Sequence, residues 1–73
     1  MKIYVVMIES AKAPFDVRIF DEKARAISYA QDHVKIWAYE PEDIEIYEHG
    51  DYLYRARYCP EGSTVSVVER EVI

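Results

Sequence analysis

The chain has 73 residues, of which 51% are hydrophobic, and its 9 basic and 14 acidic residues give a formal charge of −5. This length predicts one small domain without room for a large internal active-site cavity. The negative charge disfavours nucleic acid as a partner and favours a positively charged protein surface. The single cysteine, Cys59, excludes an internal disulfide and a metal site of several cysteines, and we expect a packed, reduced thiol.

The chain opens with an apolar segment, residues 3–8, that lacks the polar alternation of a one-sided strand. Such a segment is typical of a central strand that is covered on both faces. It is too short for a signal peptide or a membrane span, so we expect a cytoplasmic protein. Residues 15–20, FDVRIF, then alternate apolar and polar side chains, and the two segments together predict a hairpin.

The next segment predicts a helix. Asp21 is a favourable N-cap residue, and Pro41 predicts that the helix ends near residues 37–39. Apolar residues recur at helical spacing, so we expect one stripe of the helix to pack on a sheet, with Trp37 buried at its end. The predicted stripe consists of Ala24, Ile27, Val34 and Trp37.

Residues 43–58 predict a second hairpin around Gly50. A three-residue loop such as Glu48-His49-Gly50, with Gly50 in the left-handed conformation, separates apolar from charged side chains, whereas a two-residue loop mixes them. The apolar face then holds Ile44, Ile46, Tyr52, Tyr54 and Ala56. The charged face holds Asp43 and Glu45 beside Arg55 and Arg57, where opposite charges stabilise the strand pair.

A last strand over residues 64–73 completes the predicted order ββαβββ. This order predicts an α+β domain with an antiparallel sheet and one helix packed on one face. A single helix leaves the other sheet face open to solvent or to a partner, and the apolar segment 3–8 favours a partner. We therefore expect self-association as a homodimer.

No motif in the chain points to catalysis. The histidines, His33 and His49, have no metal ligand or nucleophile at a motif spacing, and neither glycine belongs to a phosphate-binding loop. Ser63 after Gly62 lacks the pattern of a nucleophile elbow. We therefore predict a non-enzymatic protein that uses no cofactor and no metal.

The opening MKIYVVMIE, followed by an alternating strand that ends in IFDEKARAISYAQD, resembles small phage and bacterial proteins that begin MKxYVV. The resemblance covers roughly the first forty residues, and the Tyr- and Arg-rich second half departs from that pattern. It brings no catalytic residue with it. It implies a viral accessory protein that acts in the host cytoplasm, a class that includes inhibitors of host defence such as anti-CRISPR proteins.

The predicted function is a non-catalytic protein-binding module, in its narrowest form a phage-encoded inhibitor of a host defence protein. Acidic residues are concentrated in residues 40–51 and would complement a basic partner surface, while large apolar side chains would anchor the interface. The predicted partner-binding residues are Tyr39, Glu42, Glu45, Tyr47, Glu48 and Leu53.

Two alternatives stay open from the sequence. In the first, the chain is a homo-oligomer that binds a small ligand or a nucleotide between subunits, contacted by Arg55, Arg57 and tyrosines. In the second, the chain is a structural subunit of a larger assembly. Neither alternative requires catalytic residues.

Overall fold

The computed structural model describes residues 1–10, 14–47 and 50–72. The described residues form one α-helix and five strands in the predicted order, and the strands make a single antiparallel sheet with the spatial order β2-β1-β5-β4-β3. The elements are β1 (Lys2–Glu9), β2 (Asp16–Phe20), α1 (Lys23–Trp37), β3 (Glu45–Ile46), β4 (Tyr54–Arg57) and β5 (Thr64–Glu71). The predicted α+β class, with one helix packed on the sheet, is confirmed.

The strand β1 lies inside the sheet, between β2 and β5. This position confirms the prediction that the two-sided apolar segment forms a central strand. Val6 pairs with Val67, and Ile8 pairs with Val65, and all four side chains are buried. These residues form the part of the core on which α1 packs.

The stripe through which the helix packs on the sheet coincides only in part with the predicted one, because Val34 is buried and Ile27 packs against the core as predicted. Its buried residues, spaced four apart, are Ala26, Ala30 and Val34. Ala24 is exposed and Trp37 is 60% exposed, so the prediction of a buried Trp37 is wrong. Because alanine side chains are small, they let the helix backbone come close to the sheet in a tightly packed interior, and the large ring stays at the helix end.

The ends of α1 lie close to the predicted positions. Glu22 instead of Asp21 occupies the N-cap position, and no side-chain hydrogen bond caps this end. The helix ends at Trp37, within the predicted range, and Pro41 begins a short 3-10 helix, Pro41–Asp43. The partial negative charge of the helix C-terminus therefore lies beside Trp37. No helix within the described ranges is long and apolar enough to cross a membrane.

The paired residues of the second hairpin separate apolar from charged side chains as predicted, but Tyr52, which was predicted on the apolar face, lies against Arg55. Ile46 pairs with Ala56, and Glu45 pairs with Arg57. Gly50 has a φ of 86°, which is the expected left-handed conformation. The predicted loop Glu48-His49-Gly50 lies mostly outside the described residues, but its register is wrong, because it would place Tyr52 rather than Ala56 opposite Ile46.

The sheet face opposite the helix carries the side chains that alternate with the core residues. Val5 pairs with Ile19 on one side and with Val68 on the other, which forms an apolar row across three strands. Val17 is 43% exposed and Ile19 is 65% exposed. Homodimer formation through this face stays a prediction.

Candidate functional site

An open groove of about 680 Å³ lies between the C-terminal half of α1 and the end of the sheet where the turn between β4 and β5 approaches β1. This volume is within the range of small-molecule pockets, about 300–1,000 Å³. We call it the aromatic groove, because ring side chains from four parts of the chain line it. The rings belong to Phe15, Tyr29, His33, Trp37, Tyr39 and Tyr58.

Three of the rings come from one stripe of α1. Tyr29, His33 and Trp37 are spaced four residues apart, so they lie above one another on the helix surface. The rings of His33 and Trp37 have centroids 6.1 Å apart, and His33 meets Tyr58 edge to face at 5.1 Å. The helix therefore supplies one wall of the groove, and the residue that follows β4 closes it against the sheet.

The floor of the groove holds a hydrogen-bonded pair of neutral groups. His33 Nε2 lies 3.0 Å from Tyr58 Oη. Burial lowers the pKa of His33, and the nearby Asp16 carboxylate opposes this shift. Burial and the neighbouring Cys59 raise the pKa of Tyr58, against a hydrogen bond with Ser63. Both groups are consequently uncharged at neutral pH, and the floor is polar without charge.

The rim of the groove carries three exposed rings. Phe15 is 57% exposed, Trp37 is 60% exposed and Tyr39 is 62% exposed. They come from three separate places: the segment before β2, the end of α1 and the segment after α1. Clusters of large exposed apolar groups on a protein surface mark interaction sites, whereas single exposed residues carry no such meaning.

The charged side chains that line the groove in the described part of the chain are both acidic. Asp16 accepts hydrogen bonds from the Val17 backbone N–H at 3.0 Å and from Arg18 Nε at 3.3 Å. Glu61 Oε1 accepts a hydrogen bond from Tyr39 Oη at 3.5 Å. The groove is therefore an aromatic environment with two carboxylates, of which Asp16 is ion-paired with Arg18.

Cys59 has a structural position at the edge of the groove. The side chain is buried, as predicted, and its Sγ donates a hydrogen bond of 3.6 Å to the backbone carbonyl of Trp37. This contact joins the segment after β4 to the end of α1. Across the described ranges, no group of three or more His, Cys, Asp or Glu side chains is placed to hold a metal ion.

The structure distributes the predicted partner-binding residues over different parts of the molecule. Of the five that are described, only Tyr39 lines the aromatic groove. Glu42 is exposed in the 3-10 helix, and Glu45 Oε2 accepts a hydrogen bond of 3.0 Å from Arg57 Nη2. Leu53 is half-buried and packs against the core. Glu48 lies outside the described residues.

The remaining predicted residues, Tyr47, Arg55 and Arg57, lie together on the face of β4 that carries the two arginines, which we call the β4 surface. The Arg55 guanidinium lies 4.6 Å from the ring centroid of Tyr52 and 5.8 Å from that of Tyr47. Arg57 is paired with Glu45. The Nε atoms of both arginines are buried and have no hydrogen-bond partner within the described part of the chain. Among the described residues, each arginine therefore has an unpaired Nε–H donor that is covered by neighbouring side chains.

Sequence reasoning did not assign Phe15, Trp37, His33 or Tyr58 to a site. One signal for three of the rings was present, because Tyr29, His33 and Trp37 recur every four residues and form a continuous stripe of a helix. Trp37 had been assigned to the predicted core stripe, so it was not grouped with Tyr29 and His33. Phe15 and Tyr58 have no such local signal, since only the folded chain brings them to the helix.

No protein family, no curated protein and no solved structure matches this chain. The function must therefore be inferred from the aromatic groove and the surfaces around it.

Proposed function

We propose that this chain is a non-catalytic protein-binding module that engages a basic surface of its partner through the aromatic groove. The observation that carries the proposal is the combination of three rings, each more than half exposed, with charged lining residues that are acidic throughout the described part of the groove. Aromatic side chains contribute most to binding when a partner desolvates them, and acidic groups beside them select a positively charged partner.

The proposed partner is of the predicted class, a protein with a basic surface. The centre of the contact, however, lies in the aromatic groove instead of in residues 40–51. Tyr39 stays a predicted anchor, whereas Glu45 and Tyr47 lie on the β4 surface and would contribute only if the contact extends there. The overall charge of −5 supports a basic partner, because complementary charge accelerates encounter. The narrower hypothesis of a phage-encoded inhibitor of host defence rests on the resemblance of the N-terminal half and stays a prediction.

The test compares partner capture by three forms of the tagged chain. The site variant carries Trp37→Ala and Tyr39→Ala, and the matched control carries Ile36→Ala. Ile36 is next to Trp37 on α1 and is 72% exposed, but it does not line the groove. Circular dichroism melts first establish that all three forms are folded. Quantitative mass spectrometry of captured proteins then measures which ones depend on the groove.

We expect at least one basic protein to be retained by the wild type and the Ile36 control and lost from the site variant. Truncating a central aromatic anchor costs at least ~2 kcal/mol in typical interfaces, which is roughly a thirty-fold loss of affinity. If every retained protein binds the site variant as well as it binds the control, the aromatic groove is not the interface and the proposal fails.

A second candidate function is supported by one observation, the unsatisfied Nε atoms of Arg55 and Arg57. A phosphate or carboxylate that displaced the side chains covering these donors could accept hydrogen bonds from them, as in the predicted ligand-binding homo-oligomer. Titration with inorganic phosphate, followed by backbone NMR shifts, tests it. Saturable shifts in β4 that disappear in Arg55→Gln but persist in Arg70→Gln, an exposed arginine of β5, would favour this function.

A further inference from the structure

We propose that the aromatic groove receives a cationic side chain of the partner, and that arginine is the side chain it takes best. This inference rests on the proposed function and deepens it, because it names the chemical group that the site recognises. Three features support it independently: the flat rings of the rim, the acidic lining and the position of the helix C-terminus.

The rim offers flat aromatic surfaces to a planar cation. The exposed rings of Phe15, Trp37 and Tyr39 line the groove. A guanidinium group stacks on such rings, is more weakly hydrated than an ammonium group and therefore loses less on leaving water. The chain already contains this kind of contact on its β4 surface, where Arg55 lies 4.6 Å from the Tyr52 ring centroid.

The carboxylates of the groove complement the guanidinium hydrogen-bond donors. An ionised carboxylate has about four acceptor positions on its two oxygens. Asp16 uses Oδ1 for the Val17 N–H and Oδ2 for Arg18, and both contacts are exposed. Its carboxylate therefore retains acceptor capacity toward an incoming guanidinium. Glu61 adds a second negative charge on the same lining.

The end of α1 adds to the negative potential. The helix has 15 residues and ends at Trp37, which itself lines the groove. Carbonyl groups at a helix C-terminus carry about half a negative charge in sum and favour cations. The neutral floor, formed by His33 and Tyr58, leaves this potential unchanged, and Lys35 in the last turn offsets part of it. The carboxylates of Asp16 and Glu61 and the end of α1 disfavour an anionic ligand, so we expect phosphate, nucleotides and acidic peptides to bind poorly in the groove.

The test uses the full chain and short blocked peptides that differ only at the central residue. The peptides are acetyl-Gly-Xaa-Gly-amide, with arginine, lysine or citrulline at Xaa, and citrulline is the neutral counterpart of arginine. Trp37 is the single tryptophan of the chain and lies on the rim, so its fluorescence reports occupancy directly. Contacts of this size give dissociation constants on the order of millimolar.

We expect a saturable change of Trp37 fluorescence with the arginine peptide and about five-fold weaker binding of the citrulline peptide, the equivalent of ~1 kcal/mol for a cation on exposed rings. Lysine should bind less tightly than arginine. Tyr39→Ala and Asp16→Asn should each weaken arginine binding. Their controls, Ile36→Ala and Asp21→Asn, change exposed residues outside the groove lining and should leave it unchanged.

Equal binding of arginine and citrulline peptides would overturn the inference, because the groove would then recognise shape without charge. A fluorescence signal that does not respond to the arginine peptide would overturn it as well. Neither result bears on the capture experiment, which depends on the whole interface. Groove-dependent capture of a partner, combined with no preference for arginine, would leave the proposed function standing and remove only this inference.

Discussion

The face of α1 that packs on the sheet is tested most directly by placing a leucine at two alanine positions of the same helix. Ala30 is fully buried against the sheet, whereas Ala24 is exposed. Leucine and alanine have similar helix propensities, so the intrinsic cost of the substitution is small and equal at both sites. The difference between the two variants therefore measures packing alone.

The expected cost follows from the close approach of helix and sheet. Ala30 has no exposed surface, and extra carbon atoms there must push the helix away from the core or force strained rotamers, at about 1–3 kcal/mol. A domain of this size has roughly 4–11 kcal/mol of stability in total. In such a small domain ~1 kcal/mol shifts Tm by about 4–8 °C, so Ala30→Leu should melt roughly 5–20 °C lower. Ala24→Leu should stay within about 0.5 kcal/mol of the wild type.

Urea unfolding followed by circular dichroism measures both variants. We expect a lower midpoint with an unchanged slope for Ala30→Leu, since an altered slope would indicate a change in compactness instead of stability. If Ala24→Leu proved the more damaging substitution, the helix would pack through the stripe that the sequence predicts, with Trp37 inward. The aromatic groove would then not exist in the form described above.

Three further measurements test other parts of the structure. Trp37→Ala should cost at most about 2.5 kcal/mol in urea unfolding, because only two-fifths of the residue is buried; a loss of about 3–5 kcal/mol would place the ring in the core. The free energy of unfolding should fall as the pH drops below about 6.5. Burial lowers the pKa of His33 in the folded state, so the unfolded chain binds more protons in this range than the folded chain does. In His33→Gln, the free energy of unfolding should depend less on pH. In sedimentation, we expect a dimer of the 8.6 kDa chain that Ile19→Lys dissociates and Ile36→Lys does not; a wild-type monomer would contradict this expectation.

The parts of the fold that were predicted from the sequence are those that the local pattern of apolar and polar residues specifies. The central position of β1 follows from apolar residues on both faces, and the placement of Glu45 and Arg57 on one face follows from the parity that keeps charges together. The predicted partner of Ile46 was wrong by four residues, Tyr52 instead of Ala56, since several odd loop lengths satisfy the same parity. Alternation alone does not distinguish among them.

The helix face could not be predicted by ranking side chains by hydrophobicity. Two overlapping stripes of α1 could pack on the sheet. The predicted one, which contains Ile27 and Trp37, is more apolar than the one that contains Ala26 and Ala30. The structure buries the alanine stripe because the gain from close packing depends on the shape of the sheet surface, where Val6, Val65 and Val67 are fully buried. That surface is formed by strands that are far apart in sequence, so no local sequence pattern predicts its shape.

The core and the candidate site are linked by the geometry of α1. Ala26, Ala30 and Val34 share one stripe, and Tyr29, His33 and Trp37 share another that is offset by three residues. Three residues correspond to about 300° of rotation, so the two stripes are about 60° apart on the helix surface. The rotation that places the alanines against the sheet therefore turns the rings toward the groove beside it. A substitution that lifts the helix, such as Ala30→Leu, should consequently weaken binding of the arginine peptide even though Ala30 does not line the groove.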